Sequence, residues 1–320
     1  MISSDNDSAA AAVLMIRPSH FGFNPETAAS NIFQKEDSRS KSFEFADTVR
    51  NKAMREFDHF VSQLELHDIE TLVASDREDV MTPDSVFPNN WFSTHPDGTV
   101  ILYPMLSPVR RKERRTDLFE TLLPRHRYFI KQVIDLSPFE EQNKFIEGTG
   151  SLVFDPVSKS AYANISSRTN QALVEQVCGL LNYEPVIFTA ASADGREIYH
   201  TNVLLTVTRH FAVICDESIP DLKEREHVIR ELTSSSREII RLSYRQMEQF
   251  AGNMLQVRNT KDELITLMSQ SAYASLDPGQ LRCIERHSRI LSVPVPTIEA
   301  VGGGSVRCMM AELFLPRVSG

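Results

Sequence analysis

Along this chain, short apolar runs alternate with polar turns in one recurring order. A polar residue leads a short strand, a turn and a second strand, then an amphipathic helix and a third strand follow. The first copy starts at Asn90 and runs through Trp91-Phe92-Ser93, a turn at His95-Pro96-Asp97-Gly98, and Val100-Ile101-Leu102-Tyr103. Asp-Gly predicts a tight hairpin, because Gly takes positive φ without steric cost. Further copies start at Gly150, Asn202, Asn253 and Cys308, at spacings of 60, 52, 51 and 55 residues. A period of that size marks a repeat architecture. Segments 114–129, 170–181, 222–233 and 271–288 have helical periodicity, and runs such as Val133-Ile134-Asp135-Leu136 supply third strands. The third copy, Val203-Leu204-Leu205-Thr206-Val207 with Phe211-Ala212-Val213-Ile214-Cys215, barely alternates, which predicts strands buried on both faces. The unit is ββαβ and the class α/β.

The fifth copy has only a first strand, expected over 309–315, before the sequence ends. Residues 12–16, 57–64 and 69–73 supply its missing second strand, helix and third strand, so the pattern predicts a ring closed by both termini. Such closure removes sheet edges and brings the leading residue of every copy to the axis. Residues 12–320 are expected to form a single domain behind a flexible Ser/Ala-rich start at 1–11, and the Ser/Asp/Lys-rich segment 35–42 could serve as a lid.

Composition narrows the function. The chain has 320 residues, 41% of them hydrophobic, with 34 basic against 43 acidic side chains and a net charge of −9. That is globular usage with no surplus of cations for phosphates, so neither nucleic acid nor an anionic membrane is an expected partner. No apolar run approaches the length of a bilayer span, and the start lacks a basic, then apolar, leader. A soluble, cytoplasmic protein is expected. The four cysteines, Cys178, Cys215, Cys283 and Cys308, have no C-x-x-C spacing, so no zinc knuckle or redox pair is written and no metal or cofactor is expected. Cys308 differs from the others in following Gly302-Gly303-Gly304-Ser305-Val306-Arg307, a backbone that can approach a ligand closely beside a local cation.

The strand starts carry unusually polar residues: Asp84, Asn89 and Asn90, then Glu147 before Gly148-Thr149-Gly150, His200 before Thr201-Asn202, Asn253, and Cys308. A thiol, an imidazole and a carboxylate converging in one pocket would provide nucleophile, acid/base and orienting group for hydrolysis. Taken singly, His200 also reads as a satisfied core histidine and Glu147 as a cap of the glycine turn.

These motifs resemble the guanidino-group-modifying enzymes, which include arginine deiminases, dimethylarginine dimethylaminohydrolases and amidinotransferases. The likeness spans roughly residues 12–316 and implies a five-bladed β/α propeller with Cys308 as nucleophile, His200 as general acid/base and Glu147 beside the reacting carbon. Pro83-Asp84-Ser85-Val86-Phe87 resembles the dimethylarginine dimethylaminohydrolase segment whose Asp holds an α-amino group. The stretches around Arg110 and Arg168 resemble those whose Arg residues hold an α-carboxylate, although 110–115 also reads as a solvated basic helix start. The resemblance therefore implies a small-molecule amino-acid substrate, and a homo-oligomer is compatible with it. Asn90 and Asn202 stand where arginine deiminases have Asp. Neutral amides suit a neutral ureido group better than a cationic guanidinium, and with Phe87-Pro88-Asn89-Asn90-Trp91-Phe92 and Phe250-Ala251-Gly252-Asn253-Met254 the pattern is most similar to bacterial citrulline utilisation hydrolases. The expected reaction converts citrulline to ornithine, carbon dioxide and ammonia, with Asn90, Asn202 or backbone N–H groups at the oxyanion and Asn253 also in the substrate site. Because Glu147 is anionic, a Cys308 thiolate is expected only when His200 is protonated or substrate excludes water. The alternatives are dimethylarginine or arginine hydrolysis, amidino transfer, and a non-catalytic propeller binder resembling a ribosome anti-association factor.

Overall fold

The computed structural model describes residues 8–34 and 43–318. The expected lid at 35–42 and residues 1–7 of the expected flexible start lie outside them. Ala9 and Ala10 are buried, and Arg258 N donates to Ala10 O.

The first strand, β1 (Ala12–Arg17), is followed by the helix Phe43–Leu66 and β2 (Glu70–Ser75). Four sheets then follow in chain order: β3 (Phe92–Thr94), β4 (Thr99–Leu102) and β5 (Gln132–Asp135); β6 (Leu152–Asp155), β7 (Ser160–Asn164) and β8 (Glu184–Phe188); β9 (Leu205–Val207), β10 (Phe211–Ile214) and β11 (Glu238–Arg241); β12 (Leu255–Arg258), β13 (Leu264–Ser269) and β14 (Arg289–Val293). In each, the first strand pairs antiparallel with the second, and the second pairs parallel with the third. A parallel neighbour requires a crossover, and each crossover contains a helix. Middle strands have partners on both sides, and every residue of β4, β7 and β10 is buried, which is why their sequences do not alternate.

The fifth sheet is assembled from both ends of the chain. β15 (Ala311–Glu312) pairs antiparallel with β1, Val13 opposite Glu312 and Leu14 opposite Ala311, while β1 pairs parallel with β2 over six residues. The architecture is a five-bladed α/β propeller of ββαβ units. The crossover helix Phe43–Leu66 buries Val49, Ala53, Phe57, Phe60 and Leu64, at intervals of four, four, three and four, in a core shared with the neighbouring blade. That is one continuous helical stripe.

Some expected boundaries are corrected. The helix expected over 114–129 is confined to Asp117–Arg125, with Pro124 in its last turn and Arg127 at φ 64° beyond it. The helix expected over 271–288 is two, Gln270–Ser275 and Pro278–Glu285, because Asp277 caps the second and Pro278 has no N–H for the first to use. The strand expected over 309–315 pairs only at Ala311–Glu312. Leu313 N still donates to Ala12 O, but Phe314 N turns to Thr94 Oγ1 on the next blade.

Candidate active site

The leading residues stand in short helical turns just before the inner strands: Pro88–Asn90, Gly148–Ser151, Thr201–Val203 and Val306–Met309, with Asn253 in the loop just before β12. These turns pack against one another at the axis, and glycine makes the approach feasible. Gly148 has φ +50°, and a Cβ there would lie 2.2 Å from Asn89 O; one on Gly150 would lie 2.7 Å from His200 Nδ1. Gly148→Ala is therefore expected to cost about 2–4 kcal/mol, from left-handed backbone strain plus a clash with rigid backbone, and to depress turnover. Urea unfolding midpoints and kcat would check it, and a wild-type midpoint would refute the close approach.

Glu147 is fully buried at the centre. Its Oε1 accepts from Leu106 N at 3.1 Å, and its Oε2 accepts from Arg168 Nη1 at 3.4 Å and from His200 Nε2 at 2.9 Å. Burial pushes this carboxyl up, but the Arg168 cation, the His200 hydrogen bond and Arg110 outweigh burial and hold it well below the usual range. An ionised carboxylate only accepts, so His200 carries its proton on Nε2 and Nδ1 keeps the lone pair. Burial is also the chief reason the imidazole is pushed down to about 4, against the opposing pull of Glu147. At neutral pH the pair is a neutral imidazole donating to a carboxylate.

This arrangement is acid-labile. The folded-state value of His200 lies below its ordinary one of 6.5, so its contribution is complete above that pH and is lost as pH falls toward about 4. Between pH 6.5 and 5 the loss is about 2 kcal/mol from this group. Urea midpoints measured from pH 7.5 to 4.5 should fall steadily over that interval, whereas a flat profile would contradict a neutral buried His200.

Cys308 is buried, and two amides face its sulfur. Asn253 Nδ2 lies 3.3 Å from Sγ and Asn202 Nδ2 3.6 Å, while Asn253 Oδ1 accepts from Arg307 N at 3.1 Å and so ties amide to nucleophile turn. Cys178 and Cys215 are buried too, and burial pushes their thiols up to about 12, which keeps them protonated and inert at neutral pH.

Cys308, His200, Asp84, Asn90, Arg110 and Arg168 line one narrow pocket of about 280 Å³ counting its open mouth. Asp84 is buried and keeps one oxygen, Oδ1, without a partner; its Oδ2 accepts from Asn24 Nδ2 at 2.7 Å. Burial pushes this carboxyl up, against the Arg110 charge. The two arginines are more heavily engaged than their motifs suggest. Arg110, far from being a solvated helix start, is 2% exposed; it forks onto Glu113 through Nε and Nη2, both at 3.0 Å, and gives Nη1 to Asn90 Oδ1 at 2.9 Å. Arg168 stacks 4.5 Å from the Tyr199 ring centre and donates to Ser30 Oγ and Thr27 O as well as Glu147. Asn90 is thus oriented by Arg110, whereas Asn202 and Asn253 belong to the sulfur.

Sequence reasoning passed over Glu113 and the segment from Asn24 to Asn31. That segment supplies Asn24 and Thr27 to Asp84, Ser30 to Arg168, and Asn31 Nδ2 to Gly302 O at 3.2 Å. Its signal was Asn24-Pro25-Glu26-Thr27, a helix cap followed by Pro at the first helical position. Among the described residues, no group of three or more His, Cys, Asp or Glu is placed to hold a metal, and no helix is long and apolar enough to cross a membrane.

Comparison with solved structures finds the same fold in arginine dihydrolase ArgZ, from the ornithine–ammonia cycle in cyanobacteria. Its apo form matches with a TM-score of 0.72 and 15% identity, over 96% of this chain and 41% of that one. The chain thus spans about 41% of full-length ArgZ. It covers 99% of the ArgZ N-terminal domain bound to product, at a TM-score of 0.71, 16% identity and 95% of this chain. A dimethylarginine dimethylaminohydrolase carrying an adduct with S-methyl-L-thiocitrulline matches at a TM-score of 0.64 and 14% identity, over 95% of this chain and all of that one. No curated protein sequence matches significantly. The family model of eukaryotic N,N dimethylarginine dimethylhydrolase matches residues 17–315. With nearly the whole ring covered by that match, the chain belongs to the N,N dimethylarginine dimethylhydrolase family of guanidino-group-modifying enzymes.

Proposed function

We propose that the protein is a cysteine hydrolase that hydrolyses the ureido group of free citrulline, giving ornithine, carbon dioxide and ammonia. The family consists of hydrolases acting on carbon–nitrogen bonds, which sets aside the non-catalytic binder. The observation that carries the narrower reading is the neutrality of the reacting end: Asn202 and Asn253 face the sulfur, Asn90 is turned to Arg110, and Glu147 is already occupied by Leu106 N, Arg168 and His200. A guanidinium would want a further anion there, and a ureido carbonyl wants donors.

In this reading the partnerless Asp84 Oδ1 takes the α-ammonium, and the α-carboxylate takes over Arg168 donors now held by Ser30 and Thr27, with Arg110 beside it. Cys308 Sγ forms a bond to the ureido carbon while its proton passes to His200 Nδ1. His200 returns that proton to the departing nitrogen, the C–N bond breaks, and ammonia leaves an S-carbamoyl intermediate still attached to the ornithine chain. Water, deprotonated by His200, then breaks the C–S bond, and the carbamate loses carbon dioxide to release ornithine. Amide and backbone N–H groups would carry the oxyanion. We place the reaction in the cytoplasm, a reading supported by four free cysteines.

A second reading follows from the family and from ArgZ: attack on a guanidino carbon, with arginine or a methylated arginine as substrate. Amino-acid analysis after separate incubation with citrulline, arginine and dimethylarginine decides between them. Ornithine from citrulline alone is expected, whereas citrulline appearing from either guanidino substrate would overturn the ureido assignment.

A further inference from the structure

The nucleophile stands at the far end of three consecutive glycines. Phe87 lies against Gly302 and Gly304, where an added Cβ would come within 2.9 Å of its ring, and Gly303 has φ +64°, so side chains are excluded from the run and its backbone has the most freedom to lose. Beyond it, Cys308 N donates to Ser305 O at 2.9 Å, closing the turn Val306–Met309. Asn253 anchors that turn through Arg307 N, and Ser305 is where it meets the glycines.

Ser305 is fully buried, and its hydroxyl donates to Glu299 Oε1 at 2.6 Å. Glu299 stands before the run, in the helical turn Ile298–Gly302, so this one bond spans the glycines and joins the two ends of the tether. The near end is firmly seated. Glu56, on the helix Phe43–Leu66, accepts from Thr297 N at 2.9 Å and from Ile298 N at 3.1 Å, and Gly303 N donates to Glu299 O at 3.0 Å. The other carboxylate oxygen of Glu299 accepts from Ser271 Oγ. A carboxylate is a costly choice at this point. Glu299 is 8% exposed and forms no ion pair among the described residues; burial pushes its titration up against the hydroxyls of Ser269, Ser271 and Ser305, and Glu56 adds to the rise. Carboxylates in such surroundings cluster at functional sites.

We propose that Glu299 is a positioning residue for the reaction: by holding Ser305 across the glycine run it fixes the turn that presents Cys308 Sγ, and so governs the chemical step rather than substrate binding. This role rests on the reading of Cys308 as the nucleophile. Neither Glu299 nor Ser305 lines the substrate pocket, so losing either displaces Sγ without removing a substrate contact. A misplacement of about 1 Å at a reacting atom costs on the order of a hundredfold in rate.

A double-mutant cycle in the full chain tests it, with kcat and KM measured on whichever of citrulline, arginine and dimethylarginine the wild type turns over. Glu299→Ala and Ser305→Ala should each lower kcat about thirtyfold and leave KM within about threefold. Because the two residues act in series, the double variant should lose no more than the worse single one. Glu299→Gln keeps an oxygen that accepts from Ser305, and should restore kcat to within about fivefold of wild type. Alkylation of Cys308 by iodoacetamide, which needs no substrate, should change at least about twofold in both single variants and no further in the double. Should Glu299→Ala not fold, Ser305→Ala carries the comparison, and wild-type kcat in it would overturn the proposal. Losses that multiply in the double variant, a folded Glu299→Gln as impaired as Glu299→Ala, or KM rising as far as kcat falls would overturn the positioning role while Cys308→Ser, still inactive, left the nucleophile in place. Turnover that survives Cys308→Ser would overturn both.

Discussion

Glu147→Gln is expected to lower kcat by two or more orders of magnitude and, unlike an ordinary catalytic substitution, to destabilise the fold by about 3–5 kcal/mol. Arg168 and Arg110, each 2% exposed, lie 3.4 and 3.9 Å from this carboxylate and neutral His200 donates to it, so removing its charge takes from the buried Arg168 cation the carboxylate it pairs with and weakens the field around Arg110, which keeps Glu113. Size is conserved, so the loss is electrostatic rather than a cavity effect. The amide also reverses a hydrogen bond. If its NH₂ faces His200, the ring must accept on Nε2 and carry its proton on Nδ1, where the reaction needs a lone pair. Urea unfolding and steady-state kinetics on the same preparation separate the two effects. A fully stable but inactive variant would mean that Arg110 and Arg168 are sufficiently held by Glu113 and Ser30; an active one would remove Glu147 from the catalytic apparatus.

Much of the fold was legible because each blade repeats a local pattern. Asp97-Gly98 fixed one hairpin, the non-alternating middle strands announced burial, and the incomplete fifth copy pointed to closure with residues 12–16. Boundaries were less legible where tertiary demands intervene. The last strand is short because Phe314 N has a better acceptor in Thr94 of the adjacent blade, a contact between residues 220 apart. In the site, residue types disclosed the chemistry but not the allegiance of the amides. Asn90, Asn202 and Asn253 are alike in sequence, yet one is oriented by Arg110 and two face Cys308, contacts between residues 20, 106 and 55 apart. Arg110 shows the same limit. Its row of charges resembles a solvated helix start, and Glu113, three residues on, with Asp84 and Glu147 within 4 Å, makes its burial tolerable.

Cys308→Ser is expected to abolish turnover, by at least about four orders of magnitude, with unfolding unchanged, since a hydroxyl replaces a buried thiol of nearly the same size while the better nucleophile is lost. His200→Ala should lose about two to four orders of magnitude, the worth of a positioned proton carrier. The informative comparison is the pH dependence of Cys308 alkylation in wild type and His200→Ala. His200 is neutral above its depressed titration near 4, so in the free protein it lends no positive charge to a thiolate. Its partner Glu147 is an anion whose nearest compensation is Arg168, and the groups that face the sulfur are two uncharged amides. The two alkylation curves should therefore coincide from pH 6 upward, even though turnover differs by about a thousandfold. That outcome places proton transfer to His200 after substrate has entered. A wild-type curve displaced to lower pH would instead reveal a resting thiolate–imidazolium pair, and would contradict the neutral His200 on which the proposed order of steps depends.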